Sequence, residues 1–144
     1  MEKLNCKSLM IGDWVLYEGE PYQIRRLGIY GMDRDGESYP AVCIGKPTGI
    51  GLIVKRNEIE PIQLSPEILE KNGWVYNNKD EKFFPQTWVG GGLMLRDTDN
   101  CGYCIVVTSD YDDEDTNDTP FIVLYVHELQ HALKLCRIKK EIIL

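Results

Sequence analysis

The strongest constraint on this chain is how often it is interrupted. Between Asp13 and Ile62 its apolar runs are short, and each is followed within about four residues by Gly, Pro, Asp or Asn. Runs of that length suit strands and leave no room for an amphipathic helix. Asp13-Trp14-Val15-Leu16-Tyr17 is rich in strand formers, Glu18-Gly19-Glu20-Pro21 has turn chemistry, and Tyr22-Gln23-Ile24-Arg25 resumes the alternation. A hairpin is predicted there. Residues 31–38 read as a polar loop. Ala41-Val42-Cys43-Ile44 and Leu52-Ile53-Val54 are further strands, and residues 58–62 a short last one. Four or five strands in so little chain predict a small curled sheet, an SH3-like small β-barrel whose closure removes exposed edges.

From residue 63 the pattern changes. Ser65 is a suitable N-cap, Pro66 fits the first helical position, Glu67 suits the positive end of the dipole, and Gly73 is a good stop. A helix of about two turns is predicted. Strand character returns in Trp74-Val75-Tyr76, Lys82-Phe83-Phe84, Leu93-Met94-Leu95 and Tyr103-Cys104-Ile105-Val106-Val107. Residues 110–118 read as an acidic surface loop, and residues 121–136 as the strongest helix of the chain. The expected fold class is α+β: an SH3-like barrel over residues 1–62, then residues 63–144 as a short helix, an antiparallel β-meander and a C-terminal helix. Whether the two parts pack as one unit is left open.

Composition narrows the possible partners. No apolar run reaches the roughly 18 residues of a membrane helix. The opening residues carry Glu2, Lys3 and Lys7 instead of the apolar stretch of a signal peptide. The net charge is −7. Residues 1–62 hold 8 basic and 9 acidic side chains, and residues 63–144 hold 8 and 14. Basic residues adjoin only as Arg25-Arg26, Lys55-Arg56 and Lys139-Lys140, with no basic stripe, which disfavours nucleic acid. The cysteine count is odd: Cys6, Cys43, Cys101, Cys104 and Cys136. Cys43 and Cys136 sit in apolar stretches and read as small hydrophobes. A cytoplasmic chain with reduced thiols is expected.

His127-Glu128-Leu129-Gln130-His131 matches H-E-x-x-H and contains both histidines of the chain. Four residues apart on a helix, the two imidazoles share a face and suit one zinc ion, with Glu128 as general base on bound water. The pattern resembles the zinc metallopeptidase signature over this helix alone. Its longer form continues with Gly and a third His, where this chain has Lys134 and Arg137. A third ligand would have to come from Glu141, Cys136 or an upstream loop. On a helical wheel Ile122, Val126, Leu129, Leu133 and Cys136 make the apolar stripe, and both histidines fall off it. The preferred reading is a polar face carrying two solvated histidines.

Cys101-Gly102-Tyr103-Cys104, taken with His127 and His131, gives a second zinc reading: a closed tetrahedral structural site of two thiolates and two imidazoles. The spacing between its halves is wider than the usual one. A redox use of the two thiols is disfavoured because a strand follows Cys104 where a helix N-terminus is needed.

Three fainter signals remain. Residues 110–115 invite a calcium loop, but Asp115 and Phe121 stand where an EF-hand needs Gly and Glu. Gly90-Gly91-Gly92 lacks the Lys-Ser/Thr of a phosphate loop. Trp14, Tyr17, Tyr22, Tyr30 and Tyr39 would line a peptide groove or fill a core.

The stretches Pro61-Ile62-Gln63-Leu64-Ser65-Pro66-Glu67-Ile68-Leu69-Glu70-Lys71-Asn72-Gly73 and Tyr125-Val126-His127-Glu128-Leu129-Gln130-His131-Ala132-Leu133, with the Gly-Asp-Trp-Val opening, resemble a group of small proteins from gut anaerobes, their prophages and other mobile elements. That group carries no activity to transfer. The resemblance implies a cellular context, and a terminal helix nearer to His-x-Leu-Gln-Asn, in which His131 is incidental. The expected function is a non-enzymatic interaction or adaptor module with a protein partner and no cofactor. No catalytic residue or metal ligand is assigned, and the oligomeric state is left open. The alternatives are a zinc metallopeptidase using Glu128, and a binding module with structural zinc.

Overall fold

A computed structural model describes residues 9–77, 82–85, 93–98, 102–108 and 116–144. The chain divides into two compact units, Met1–Ile62 and Gln63–Leu144. The class is α+β, and the described residues form two antiparallel five-stranded sheets and two α-helices. No helix among the described residues is long and apolar enough to cross a membrane.

The first unit holds β1 (Trp14–Tyr17), β2 (Glu20–Met32), β3 (Ser38–Gly45), β4 (Leu52–Lys55), a 3-10 turn (Arg56–Glu58) and β5 (Glu60–Pro61). The order across the sheet is β4-β3-β2-β1-β5. Tyr17 pairs with Glu20 across a two-residue turn. Its central residues, Glu18 and Gly19, both have positive φ, at 50° and 79°. That mirror-image turn matches the strand twist. The next turn is tighter than the predicted loop. The Asp33 carboxylate accepts the N–H groups of Asp35 and Glu37, both at 2.9 Å, and holds the corner within residues 33–37.

Leu9, Val15, Ile24, Val42, Ile44, Val54 and Ile59 form the core of this unit, with Tyr17, Tyr22 and Leu27 packed against it. Asp13 is fully buried and its carboxylate accepts the Met10 N–H at 2.7 Å, which folds residues 9–13 back onto the sheet. Barrel closure is not found. Among the described residues β4 pairs only with β3 and β5 only with β1, so the sheet stays open. The aromatic groove is not found either. Trp14 is buried, Tyr17 and Tyr22 are partly buried against the core, and Tyr30 stands exposed. Tyr39 lies across the space beside Gly31, its cross-strand partner, under the Lys55 ammonium.

The second unit opens with α1 (Pro66–Lys71). Its cap is the one its residues announce: Ser65 Oγ accepts the Ile68 N–H at 3.3 Å, and Pro66 occupies the first turn. The sheet follows as a plain meander of β6 (Trp74–Asn77), β7 (Lys82–Pro85), β8 (Met94–Asp97), β9 (Tyr103–Thr108) and β10 (Thr116–Val123), with each strand beside the next. The chain then enters α2 (Val126–Leu135).

Here the structure corrects two expectations. Part of the stretch read as an acidic loop is strand, and α2 starts five residues later than predicted. Residues 116–123 pair with β9, and Ile122 lies opposite Cys104 in that ladder, off the helical stripe. The predicted stripe survives in Val126, Leu129 and Leu133, all buried, whereas Cys136 caps the helix and is exposed. The Gly90-Gly91-Gly92 run, Cys6, Cys101 and residues 110–115 lie outside the described residues.

Candidate functional site

The H-E-x-x-H helix is built differently from a catalytic one. Glu128 is the third residue of α2, and its carboxylate turns back to the helix start. Oε1 accepts the N–H groups of Leu124 and Tyr125, both at 3.1 Å. These are backbone donors that a helix N-terminus otherwise leaves without an intrahelical partner, and the negative charge suits that end of the dipole. Glu128 is therefore a capping residue through its Oε1 oxygen.

His127 is also unlike its predicted role. It is buried, at 4 % exposure, whereas His131 is half-buried. The His127 ring stacks on Tyr125, with centroids 5.8 Å apart and planes 7° from parallel. His131 meets it edge-on at 5.7 Å and 73°. The solvated polar face expected from the wheel is thus an aromatic stack over the first turns of the helix.

The two imidazoles are close, but no third ligand among the described residues joins them. Among the described residues no three His, Cys, Asp or Glu side chains converge to hold a metal. Cys104 is buried in β9, and its thiol donates to the Ile105 carbonyl at 3.6 Å. It is not brought into a group with His127 and His131. Cys101, the other half of the proposed knuckle, lies outside the described residues.

A concave site of this unit lies elsewhere. A cleft of about 420 Å³ is lined by residues 63–66, Asp97, Gly102, Tyr103 and Leu124. Four connections tie these segments in pairs. Gln63 bridges to Tyr125, and the Leu64 N–H donates to the Leu124 carbonyl at 2.9 Å. Asp97 faces Tyr103 across the β8–β9 ladder. Thr98 closes that hairpin through its N–H and hydroxyl, both on the Gly102 carbonyl, at 3.1 and 2.6 Å. The Glu128 cap holds Leu124 from behind, so the enzyme-like glutamate sets one wall of the cleft.

Gly102 is required here. Its φ is +90°, and a Cβ would lie 2.7 Å from both the Val123 carbonyl oxygen and Leu124 Cδ2. Only glycine lets the segment leading into α2 approach this closely.

The cleft combines a phenol, a carboxylate and apolar wall. Tyr103 is buried. Burial first, then the nearby charges of Asp97 and Glu67, push its phenol up to about 12. At neutral pH the hydroxyl stays protonated and is no proton acceptor. Leu64, Pro66 and Leu124 supply apolar wall and Asp97 a carboxylate. Sequence reasoning missed this site, because no motif joins its residues. No family model, curated protein or solved structure matches the chain.

Proposed function

We propose that this chain is a non-enzymatic interaction module that docks a protein partner in the cytoplasm and is encoded by a phage or other mobile element. The setting rests on the resemblance of the Leu-Ser-Pro helix and the terminal Tyr-Val-His helix. The observation that carries the binding role is the pairing of Tyr103 and Asp97 in a cleft with apolar walls. The partner group that fits is a lysine or arginine side chain. Its aliphatic stem would lie along Leu64, Pro66 and Leu124, and its cation beside Asp97, where the field of Glu67 adds attraction.

We read the first unit as SH3-like in strand arrangement. The support is a meander of four strands, a 3-10 turn at Arg56–Glu58, and a last strand that returns to β1. Small sheets of this kind present rigid surfaces to peptides.

The test is a titration of the full chain with Nα-acetyl-lysine amide, with Nα-acetyl-norleucine amide as the uncharged control, followed by amide chemical shifts. The expected result is saturable shifts centred on Asp97, Tyr103 and Leu124 for the lysine probe alone, lost in Asp97→Asn. Equal shifts with both probes, or shifts unaffected by Asp97→Asn, would refute the reading.

A further inference from the structure

The segment after α2 is held like a ligand. It has no regular secondary structure from Ile138 onward. Its contacts combine a backbone clamp with gripped side chains. Asn72, itself buried, accepts the Ile143 N–H on Oδ1 at 2.7 Å and donates from Nδ2 to the Ile143 carbonyl at 2.8 Å. The same Nδ2 donates to the Ile68 carbonyl at 2.8 Å, which ties the amide to α1. Ile142 is buried at 3 % exposure. The Lys140 ammonium sits 5.3 Å from the centre of the Trp74 ring. Trp74 is fixed in turn by its indole N–H on the Leu93 carbonyl at 3.1 Å. Backbone read at one residue and side chains gripped two apart is the division of labour in strand-like peptide recognition.

The link between α2 and this segment is a strained hinge. The Ile138 N–H donates to the Leu133 carbonyl and the Arg137 N–H to the Lys134 carbonyl, at 2.9 and 3.0 Å, the paired bonds of a helix C-terminal Schellman turn. The left-handed position of that turn, which favours glycine, is held by Arg137 at φ 56°. Returning Arg137 to the helical region relieves the strain and carries the segment away from Asn72.

We propose that Asn72 and Trp74 form a recognition site for an extended Lys-x-Ile-Ile segment, filled in cis by residues 140–143 and open to the same residues of a second copy of this chain. Every copy brings one site and one matching segment, and a strained hinge favours exchange between copies. The site is separate from the cleft beside Tyr103 and does not depend on that reading.

The test uses the full chain and a synthetic peptide of residues 137–144. Ile143→Pro removes the N–H that Asn72 accepts and loosens the attached segment, leaving Asn72 and Trp74 in place. The peptide is expected to bind this variant at least about tenfold more tightly than the native chain, because the tethered competitor is lost. The readout is the shift of the Trp74 indole N–H resonance, which every variant keeps, and adding Asn72→Ala to the same chain abolishes binding. In sedimentation the native chain is expected to form a concentration-dependent dimer that excess peptide dissolves. Arg137→Gly, which relaxes the closed hinge, weakens that dimer about fivefold. A folded Ile143→Pro chain that ignores the peptide overturns the site. So does loss of cooperative unfolding in that variant, since the segment would then be part of the fold and no ligand. A chain that binds peptide but stays monomeric at every concentration overturns the second copy as occupant.

Discussion

The Glu128 carboxylate lies 3.1 Å from the backbone nitrogen of Tyr125, three residues earlier, and closes the first turn of α2. This bond explains why the glutamate of an enzyme-like pentapeptide stands where it does. It also gives the motif a structural consequence that substitution can measure. Glu128→Gln keeps an acceptor but loses the charge at the positive helix end, and should cost about 0.5 kcal/mol. Glu128→Ala loses the cap itself and should cost about 1–2 kcal/mol. Urea unfolding of the two variants checks the order. A catalytic carboxylate freed from capping duty would show no loss in either, or a gain in stability.

The two histidines should separate in the same experiment. His127 is buried and stacked on Tyr125. Truncating it leaves a hole beside the first turn of α2 and should cost about 2–3 kcal/mol. His131 is half-buried and meets that stack at a steep angle. His131→Ala should cost less than about 1 kcal/mol. Equal, near-zero losses for both would restore the picture of two solvated imidazoles.

Where the sequence could be read, the signal was local. Ser65, Pro66 and Gly73 bound α1 because capping and stopping are decided within a few residues, and the same holds for the turn at Glu18 and Gly19. The start of α2 was misplaced for a matching reason. Its N-cap is Tyr125, outside the usual Ser, Thr, Asp and Asn set, and the cap is made backwards from Glu128. Phe121-Ile122-Val123 satisfied helical spacing on paper but pairs as strand, where aromatic and β-branched residues fit better. Burial of His127 was invisible because the wheel shows only one helix and the ring is covered by Tyr125, from outside it. The cleft and the Asn72 clamp were out of reach altogether. Asn72 and Ile143 are 71 positions apart, and the cleft gathers three separate segments through single backbone bonds. Strand content was legible in the first unit, but closure was not, because it depends on which edges meet and not on which residues form strands.

Tyr103 should leave a signature at high pH. Its phenol is held up to about 12, above the roughly 10 of a free tyrosine, by burial first and then by Asp97 and Glu67. The raised value means the fold favours the neutral form. That contribution is complete below about pH 10 and is lost as the pH climbs through about 12. Ultraviolet titration of tyrosinate in the native chain against Tyr103→Phe should isolate one late-titrating group. Asp97→Asn should bring it down part of the way, since burial, the larger cause, remains. A group titrating at the ordinary value in both chains would contradict the placement of the phenol.

The close approach at Gly102 allows strain and space to be told apart. Gly36 also has positive φ, at 81°, but a Cβ there meets nothing within 4 Å. Gly36→Ala should therefore cost only the backbone penalty, about 1 kcal/mol. At Gly102 the same penalty is joined by contacts of 2.7 Å with the Val123 carbonyl oxygen and Leu124 Cδ2. The carbonyl belongs to the backbone and cannot swing aside as a side chain can. Gly102→Ala should then cost about 1–3 kcal/mol beyond the Gly36 figure. Relief comes only if the segment leading into α2 moves outward, which stretches the Leu64–Leu124 bond and pulls Leu124 from the Glu128 cap. The variant should consequently show altered amide shifts at Leu64, Leu124 and Tyr125 and lose binding of the lysine probe, while the amides of residues 14–61 stay in place. Equal losses at Gly36 and Gly102 would mean that the segment yields freely and that glycine is there for its φ alone.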